Sequence, residues 1–420
     1  MADLKFQRPK GTYDILRQDW DYFQKVFNVV STIAKLNNFE RIETPILEKK
    51  ELFERGVGET TDIVEKEMYC LKTKGGDELC LKPEGTAPVV RAYFENGLLE
   101  LPQPVKLWYF GPFFRHETPQ AGRYRQFWQF GFEILGEKDY ILDAQVILIS
   151  LEILKELKIE NFVLKINSIG NSCCRGYYKK GLVSYLKKRK RGLCQNCKLR
   201  LERNPLRVLD CKDEKCRQII SQAPQILDYL CEECKNYFFK VLDTLEFLEV
   251  PFELDPFLVR GLDYYTHTVF EIQDKETGLS LISGGRYDSL GKIVNTKELP
   301  AVGAGGGVER IIEILKKKKV FVPKEKFPKI FVAQIGELGK KWALKICQKL
   351  RENKIEVFES LGKDSLKAQL RLADKLKSKY VILIGQKEAL EEVAVLKNME
   401  TGKQKEVKFE NIVKEIKKLI

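Results

Sequence analysis

The chain has 420 residues, 44% of them apolar and 10% aromatic, enough for two or three packed domains, which excludes wholesale disorder. Its 73 Lys and Arg against 60 Asp and Glu leave a net charge of +13, which suits a polyanionic partner, although lysine-rich surfaces also arise without one. The first residues carry no apolar signal core and no stretch approaches the ~18 uninterrupted apolar residues of a membrane span, so the expected location is cytoplasmic, with no membrane contact.

In chain order, residues 20–38 repeat apolar side chains at Phe23, Val26, Phe27, Val30, Ile33 and Ala34, the spacing of a helix with one buried stripe. Strand-like segments follow at FERIETPIL from 39, KLWYFGPFFR from 106 and RYRQFWQFGFEILG from 123. DAQVILISLEILKEL reads as a largely buried helix, and NFVLKIN from 161 as a strand. Between about 168 and 255 the character changes: lysines and arginines cluster in KKRKR, eight of the eleven cysteines fall there, and strand-rich sequence resumes only at Phe257. This stretch reads as an insertion. A lysine run and Pro323 to Pro328 form an expected linker. The remainder alternates strand (KIFVAQIG), helix, strand (IEVFES), helix (SLKAQLRLADKLKS) and strand (YVILIG), a compact α/β module with a largely parallel sheet. In its second helix Lys363, Lys367, Arg371 and Lys375 are expected to form a basic stripe opposite Leu366, Leu370, Ala373 and Leu376.

Several familiar chemistries are absent. There is no G-x-x-x-x-G-K-[ST] phosphate loop, and the only histidines, His116 and His267, lie too far apart for H-E-x-x-H. A nucleotide site has to be built on a sheet. From residue 123, Trp128, Phe130, Phe132 and Ile134 share one strand face, while Arg123, Arg125, Gln129, Gly131 and Glu133 share the other. The first face is core. The second is either the floor of a ligand site or half of a solvated hairpin. Arg115 ends the preceding strand, before the turn-rich loop HETPQAGR. In VGAGGGVER, Gly303, Gly305 and Gly307 bare one strand face, against which a planar ring can lie, or which packs as a Gly-rich bulge under the helix opened by Glu309 and Arg310.

IETPILE around Pro45, the hairpin ending in Arg115, and GAGGGVER resemble motifs 1, 2 and 3 of class II aminoacyl-tRNA synthetases. LVRGLDYYTHTVFEI at 258–272, SGGRYDSL at 283–290 and KPEGTAPVVR at 82–91 narrow the resemblance to histidyl-tRNA synthetases, over almost the whole chain. It implies an α+β catalytic domain (residues 1–167 and 256–326), an antiparallel sheet flanked by helices. It further implies a Cys-rich insertion domain (168–255), a C-terminal α/β anticodon-binding domain (327–420) and a homodimer formed through the Pro45 region. The implied partners are ATP with Mg²⁺, L-histidine and tRNA(His).

The implied roles follow residue by residue. Glu84, Gly85 and Thr86, with Gln129, would hold the substrate ammonium; Glu133, Tyr264, Tyr265 and Tyr287 would read the imidazole. Arg115, Arg123 and Arg310 would clamp ATP beside Gly305 and Gly307, and Arg260 would act on the α-phosphate unless it is a structural ion pair with a carboxylate such as Asp263. Three positions depart from the family pattern: Lys82 and Ser283 replace the usual arginine and alanine, and Thr118 stands where bacterial relatives often carry arginine, which leaves the reading of the tRNA 5′ end open. The rival reading is a non-charging paralogue, such as the regulatory subunit of ATP phosphoribosyltransferase.

In a reducing compartment the insertion's cysteines read as metal ligands rather than disulfides. Cys194-x-x-Cys197 and Cys231-x-x-Cys234, flanking Cys211 and Cys216, are expected either to form one tetrahedral Zn²⁺ site from the two pairs or to be buried thiols.

Overall fold

The computed structural model describes residues 5–58, 61–118, 122–323 and 328–419. Two compact units emerge, Met1–Pro323 and Lys324–Ile420. Most of the expected linker between Pro323 and Pro328, and the expected first residue of the terminal domain, lie outside the described residues.

The first unit is built on an eight-stranded sheet. Six antiparallel strands form its body, in the spatial order Val105–Phe114, Gln126–Leu135, Ala301–Gly307, Ser280–Arg286, Thr266–Asp274 and Phe162–Ser168. Two-residue parallel strands, Glu40–Arg41 and Glu253–Leu254, close the edges. Strand alternation sorts the side chains. Trp108, Phe110, Phe130, Phe132 and Ile134 enter a core shared with the helices Arg17–Leu36, Tyr140–Glu156 and Val308–Lys317. Leu107, Tyr109, Phe113 and Leu135 face a second core on the opposite side.

The expected strand from 39 to 47 does not exist as one element. Glu40–Arg41 pairs with Leu107 and Trp108, whereas Leu47–Lys49 pairs with Leu79–Leu81 in a separate three-stranded sheet. Pro45, which lacks an N–H, lies between them, where a continuous ladder would lose a bond. The insertion is helical: Ser172–Lys188, Gln195–Arg203, Glu214–Ile220 and Glu232–Phe247.

In the second unit three parallel strands, Val357–Glu359, Ile330–Gln334 and Tyr380–Ile384, are extended by an antiparallel pair, Val393–Asn398 and Gln404–Lys408. The first strand of that pair, VAVLKN, opens on an unbroken apolar run and the second, QKEVK, has a single apolar residue, so neither alternates and both escape periodicity arguments. The helix Leu366–Lys375 packs Leu366, Leu370 and Ala373 towards Phe331, Ala333 and Val381, and leaves Lys367, Arg371 and Lys375 exposed. Lys363 precedes this helix: its carbonyl is held by the Gln334 and Gln369 side chains, so it belongs to the capping turn rather than to the stripe.

Candidate active site

A cavity of about 800 Å³ opens over the middle of the eight-stranded sheet. On and just behind part of its lining is a nest of carboxyl and phenol groups. Glu84 sits just before the helix Thr86–Glu95, and its two oxygens accept the backbone N–H groups of Thr86 (2.8 Å) and Ala87 (2.9 Å). These orphan donors favour a carboxylate there. The Tyr264 hydroxyl donates to the same group at 3.3 Å. Glu133, on the strand Gln126–Leu135, accepts from the Thr86 hydroxyl at 2.9 Å, from Tyr109 at 3.5 Å and from Tyr287.

Both carboxyls are nearly inaccessible, 4% and 1% exposed. Burial pushes both above the usual carboxylate range, Glu133 to about 8, despite its hydroxyl donors and with Glu84 adding to the rise. The glycines here answer to close approach. A Cβ on Gly303 would overlap the Glu133 carboxyl, and one on Gly131 would overlap the Tyr109 ring.

Tyr264, Tyr265 and Tyr287 form a ring cluster with centroids 4.7–6.5 Å apart. A register shift between Gly285 and Arg286 lets the chain turn out of its ladder just before Tyr287. Arg286 anchors the turn: fully buried, it donates to Asp143 through Nε (2.9 Å) and Nη2 (2.5 Å), to Asp288 (3.2 Å) and to the Asp139 carbonyl (2.9 Å).

Another part of the lining is cationic. Arg115 donates through Nε to the Pro83 carbonyl (2.9 Å) and lies over the Phe127 ring; Arg123 reaches Glu117 at 3.3 Å. Arg310, which opens the helix after the glycine strand, donates to the carbonyls of Gly122 (3.4 Å) and Ser280 (3.0 Å). Burial, then the neighbouring Arg123 and Arg115, lower its affinity for its proton. Three guanidiniums thus line one space, with Glu117 as a nearby counter-charge.

Arg260 lines the same cavity. Its Nη1 is 2.5 Å from Glu271, its Nη2 donates to the Ser283 hydroxyl, also at 2.5 Å, and its Nε has no hydrogen-bond partner among the described residues. Burial disfavours its charge, but Glu271 outweighs that and holds it protonated. The ion pair expected as the alternative therefore forms, with Glu271 rather than Asp263, which is bonded by Asn204 at 3.0 Å.

Most residues singled out from sequence therefore meet in one space: Glu84, Gly85, Thr86, Arg115, Arg123, Gln129, Arg260, Tyr264, Tyr265, Gly305, Gly307 and Arg310 line the cavity. Glu133 and Tyr287 lie directly behind its wall, bonded to each other. Arg125 is excluded. Neither it nor Arg123 is part of the strand, which starts at Gln126, and Arg125 bonds the carbonyls of Glu117 and Lys10. Sequence reasoning missed Tyr109, Glu271 and the Asp210–Lys212 stretch of the insertion, all on the wall. The face alternation of Val105–Phe114 was available as a signal for Tyr109; nothing local marks the others. Of the departures from the family pattern, Ser283 supplies a bond to Arg260, and Lys82 is buried and donates to the Thr44 carbonyl at 3.0 Å. Thr118 is exposed in its loop, whose residues 119–121 lie outside the described residues.

The cysteines correct the expected ligand set. Cys194 and Cys197 gather with Cys211 and Cys216, whereas Cys231 and Cys234 gather with Cys174. Each pair stands at the start of a different helix, Gln195–Arg203 and Glu232–Phe247, and those starts belong to separate clusters. One ion shared by the two C-x-x-C pairs is ruled out.

A family model described as histidyl-tRNA synthetase matches residues 11–171 and 208–311, and one described as an anticodon-binding domain matches 329–419. The chain belongs to the histidyl-tRNA synthetase family. A curated relative from Halothermothrix orenii, named histidine–tRNA ligase, is 45% identical over 99% of this chain and all of its own length. One of the same name from Caldanaerobacter subterraneus is 44% identical over 97% of this chain and 99% of its own. Apo histidyl-tRNA synthetase from Staphylococcus aureus superposes with a TM-score of 0.78 at 33% identity, covering 98% of this chain and 100% of that one. In class II terms, the cavity floor is the hairpin of motif 2 and the glycine strand of motif 3. Among the described residues no helix is long and apolar enough to cross a membrane.

Proposed function

We propose that this chain activates L-histidine with ATP and transfers it to the 3′ end of tRNA(His), releasing pyrophosphate and then AMP, in the cytoplasm. The observation that carries the proposal is one cavity whose lining brings together Glu84, Tyr264 and Tyr265, the guanidiniums of Arg115, Arg123 and Arg310, and Arg260. An amino acid and a nucleotide triphosphate meet in such a space with carboxylate and α-phosphate adjacent.

Glu84, Thr86 and Gln129 take the ammonium group, whose three N–H donors need acceptors once desolvated. Gly85 lets the chain pass under the Tyr109 ring. Tyr264 and Tyr265 flank the imidazole, and Glu133, backed by Tyr287, reads one ring nitrogen. Arg115, Arg123 and Arg310 hold the phosphates, with the adenine against the bare face of Gly305 and Gly307. Mg²⁺ bound with ATP would be held by the phosphate oxygens and by wall carboxylates such as Glu117 and Glu271, and would offset the phosphate charge. This is the sparse oxygen set that Mg²⁺ accepts when substrate and water fill its other positions.

In the first step a histidine carboxylate oxygen attacks the α-phosphorus as its bond to the bridging oxygen breaks; pyrophosphate leaves with the electron pair. Arg260 offsets the charge that builds on the α-phosphate. In the second, the terminal adenosine hydroxyl attacks the adenylate carbonyl and AMP leaves. Histidine-dependent exchange of labelled pyrophosphate into ATP tests the reading. Folded protein without exchange would support the non-charging paralogue instead, a reading weakened by the full set of substrate residues and the presence of the terminal unit.

Above pH 8, where the carboxylate prevails, Glu133→Gln is expected to raise the KM for histidine roughly 10–100-fold, the cost of changing a charged hydrogen bond. The wild-type pH profile carries the signature. With its carboxyl near 8, Glu133 is largely neutral at pH 7 in the free enzyme, so KM should fall as pH rises through 8 and the stronger acceptor forms. The glutamine variant should lose that inflection. The stability linkage has the opposite sense: the raised value stabilises the fold most below the ordinary carboxylate range, and this contribution is lost as pH rises through about 8. A KM profile unchanged in the variant would remove Glu133 from histidine recognition.

Homodimerisation through the motif 1 segment belongs to the same proposal. Ile46 and Leu47 there, and Leu71 on the same small sheet, are 45%, 46% and 40% exposed, an apolar surface suited to a second copy. Sedimentation should show a dimer at assay concentrations and a monomer after Leu47→Glu. A fully active wild-type monomer would overturn the assignment.

A further inference from the structure

We propose that Cys194, Cys197, Cys211 and Cys216 hold one structural Zn²⁺, which fixes a segment of the insertion as a wall of the catalytic cavity. The inference stands apart from the charging reaction, since none of the four thiols is needed for it.

The four sulfurs lie within 4.8 Å of one another, and Cys194 Sγ and Cys211 Sγ are 3.8 Å apart. Two thiolates on one tetrahedral ion with bonds of about 2.3 Å stand roughly 3.8 Å apart, so small shifts complete the site. No disulfide links them; all four are free thiols. The spacing, C-x2-C then thirteen residues then C-x4-C, supplies two short knuckles. Cys194 caps the helix Gln195–Arg203, with its sulfur 3.5 Å from the Cys197 N–H, and the Cys194 N–H donates to Cys216 Sγ at 3.1 Å. N–H donors aimed at sulfur are the outer-shell contacts that stabilise metal-bound thiolates. Cys216 stands at the start of the helix Glu214–Ile220, where Asp213 accepts its N–H at 3.0 Å. Cys197 and Cys216 are fully buried.

The helices here have nine and seven residues, and the buried side chains of each are one cysteine and one aliphatic residue, Cys197 with Leu201 and Cys216 with Ile220. Yet the chain between the knuckles makes three of the insertion's ion pairs to the catalytic domain: Arg200 and Arg207 both reach Asp62, at 2.9 and 2.8 Å, and Arg203 reaches Glu65 at 2.7 Å. Immediately after it, Asp210, Cys211 and Lys212 line the cavity, as does Arg217 beside the fourth ligand. A metal ligand thus sits in the cavity wall between an acid and a base. The three-cysteine cluster of Cys174, Cys231 and Cys234 offers one ligand fewer among the described residues and serves as the internal control.

The test uses the full chain expressed with zinc and purified without chelator. Metal analysis should return about one zinc per chain, lost in Cys211→Ser and retained in Cys234→Ser. Cobalt exchanged into the wild type should show sulfur-to-metal charge transfer and the intense visible bands of a tetrahedral tetrathiolate. Amide exchange of residues 205–217 should quicken when the zinc is removed. Zinc that follows Cys234 instead of Cys211, or wild-type protein without metal, overturns the site. If Cys211→Ser does not fold, the wild-type cobalt spectrum decides, and bands lacking thiolate character overturn it equally. Unchanged exchange of residues 205–217 in zinc-free protein overturns the wall-fixing role.

Discussion

Arg260→Ala should lower the rate of histidine-dependent pyrophosphate exchange by roughly 10²–10³-fold, the usual loss when a preorganised group facing developing charge is removed. Its guanidinium is held on two sides, by Glu271 and by Ser283, so it meets the α-phosphate without first being ordered. The charge is needed where phosphorus is attacked and not where the amino acid sits, so the KM for histidine should change little. The variant also leaves Glu271 buried without its cation, which costs up to roughly 3–5 kcal/mol of stability. Thermal unfolding has therefore to be measured beside the kinetics. Ser283→Ala separates the two effects: it removes one hydrogen bond, keeps the ion pair, and should slow exchange only about fivefold. Equal losses of histidine affinity and rate in Arg260→Ala would show that the residue binds the amino acid instead.

Deleting residues 324–420 should leave pyrophosphate exchange within a few-fold of the full chain while charging of tRNA falls steeply. Every residue assigned to ATP or histidine lies before position 311, and the first unit has its own two cores. The exposed Lys367, Arg371 and Lys375 along one helix would meet phosphates, so each should contribute about one unit to the slope of log affinity against log salt. Replacing all three with alanine should lower that slope by about three and leave exchange untouched. A truncated chain that folds and charges tRNA at the full rate would refute an anticodon-binding role for this unit.

Much of the first unit was readable one element at a time. The stripe from Phe23 to Ala34, the alternation from Trp128 to Ile134 and the bare glycines 303, 305 and 307 each report a local period, and a local period says which face is buried. The arginines and tyrosines of the site were readable because they stand inside motifs. The limits were equally local. Arg125 shares the parity of Gln129, yet parity has meaning only where the backbone is extended, and the strand starts one residue later. Lys363 fits a spacing of four but precedes its helix.

The sequence by itself determined the family, the apolar faces, the set of cysteines and the chemistry of most of the cavity's lining. Only the tertiary structure decided partners. Glu84 and Glu133 share Thr86 because the helix Thr86–Glu95 lands on the strand Gln126–Leu135. Arg260 finds Glu271 and Ser283 because their two strands pair in that register, Glu271 opposite Ser283. The thiols are the clearest case. Spacing suggested joining the two C-x-x-C pairs, but each pair heads its own helix, and the fold carries those helix starts to different neighbours. Periodicity is a property of a few consecutive residues, whereas a contact between distant residues depends on how whole elements dock, and no local pattern records that.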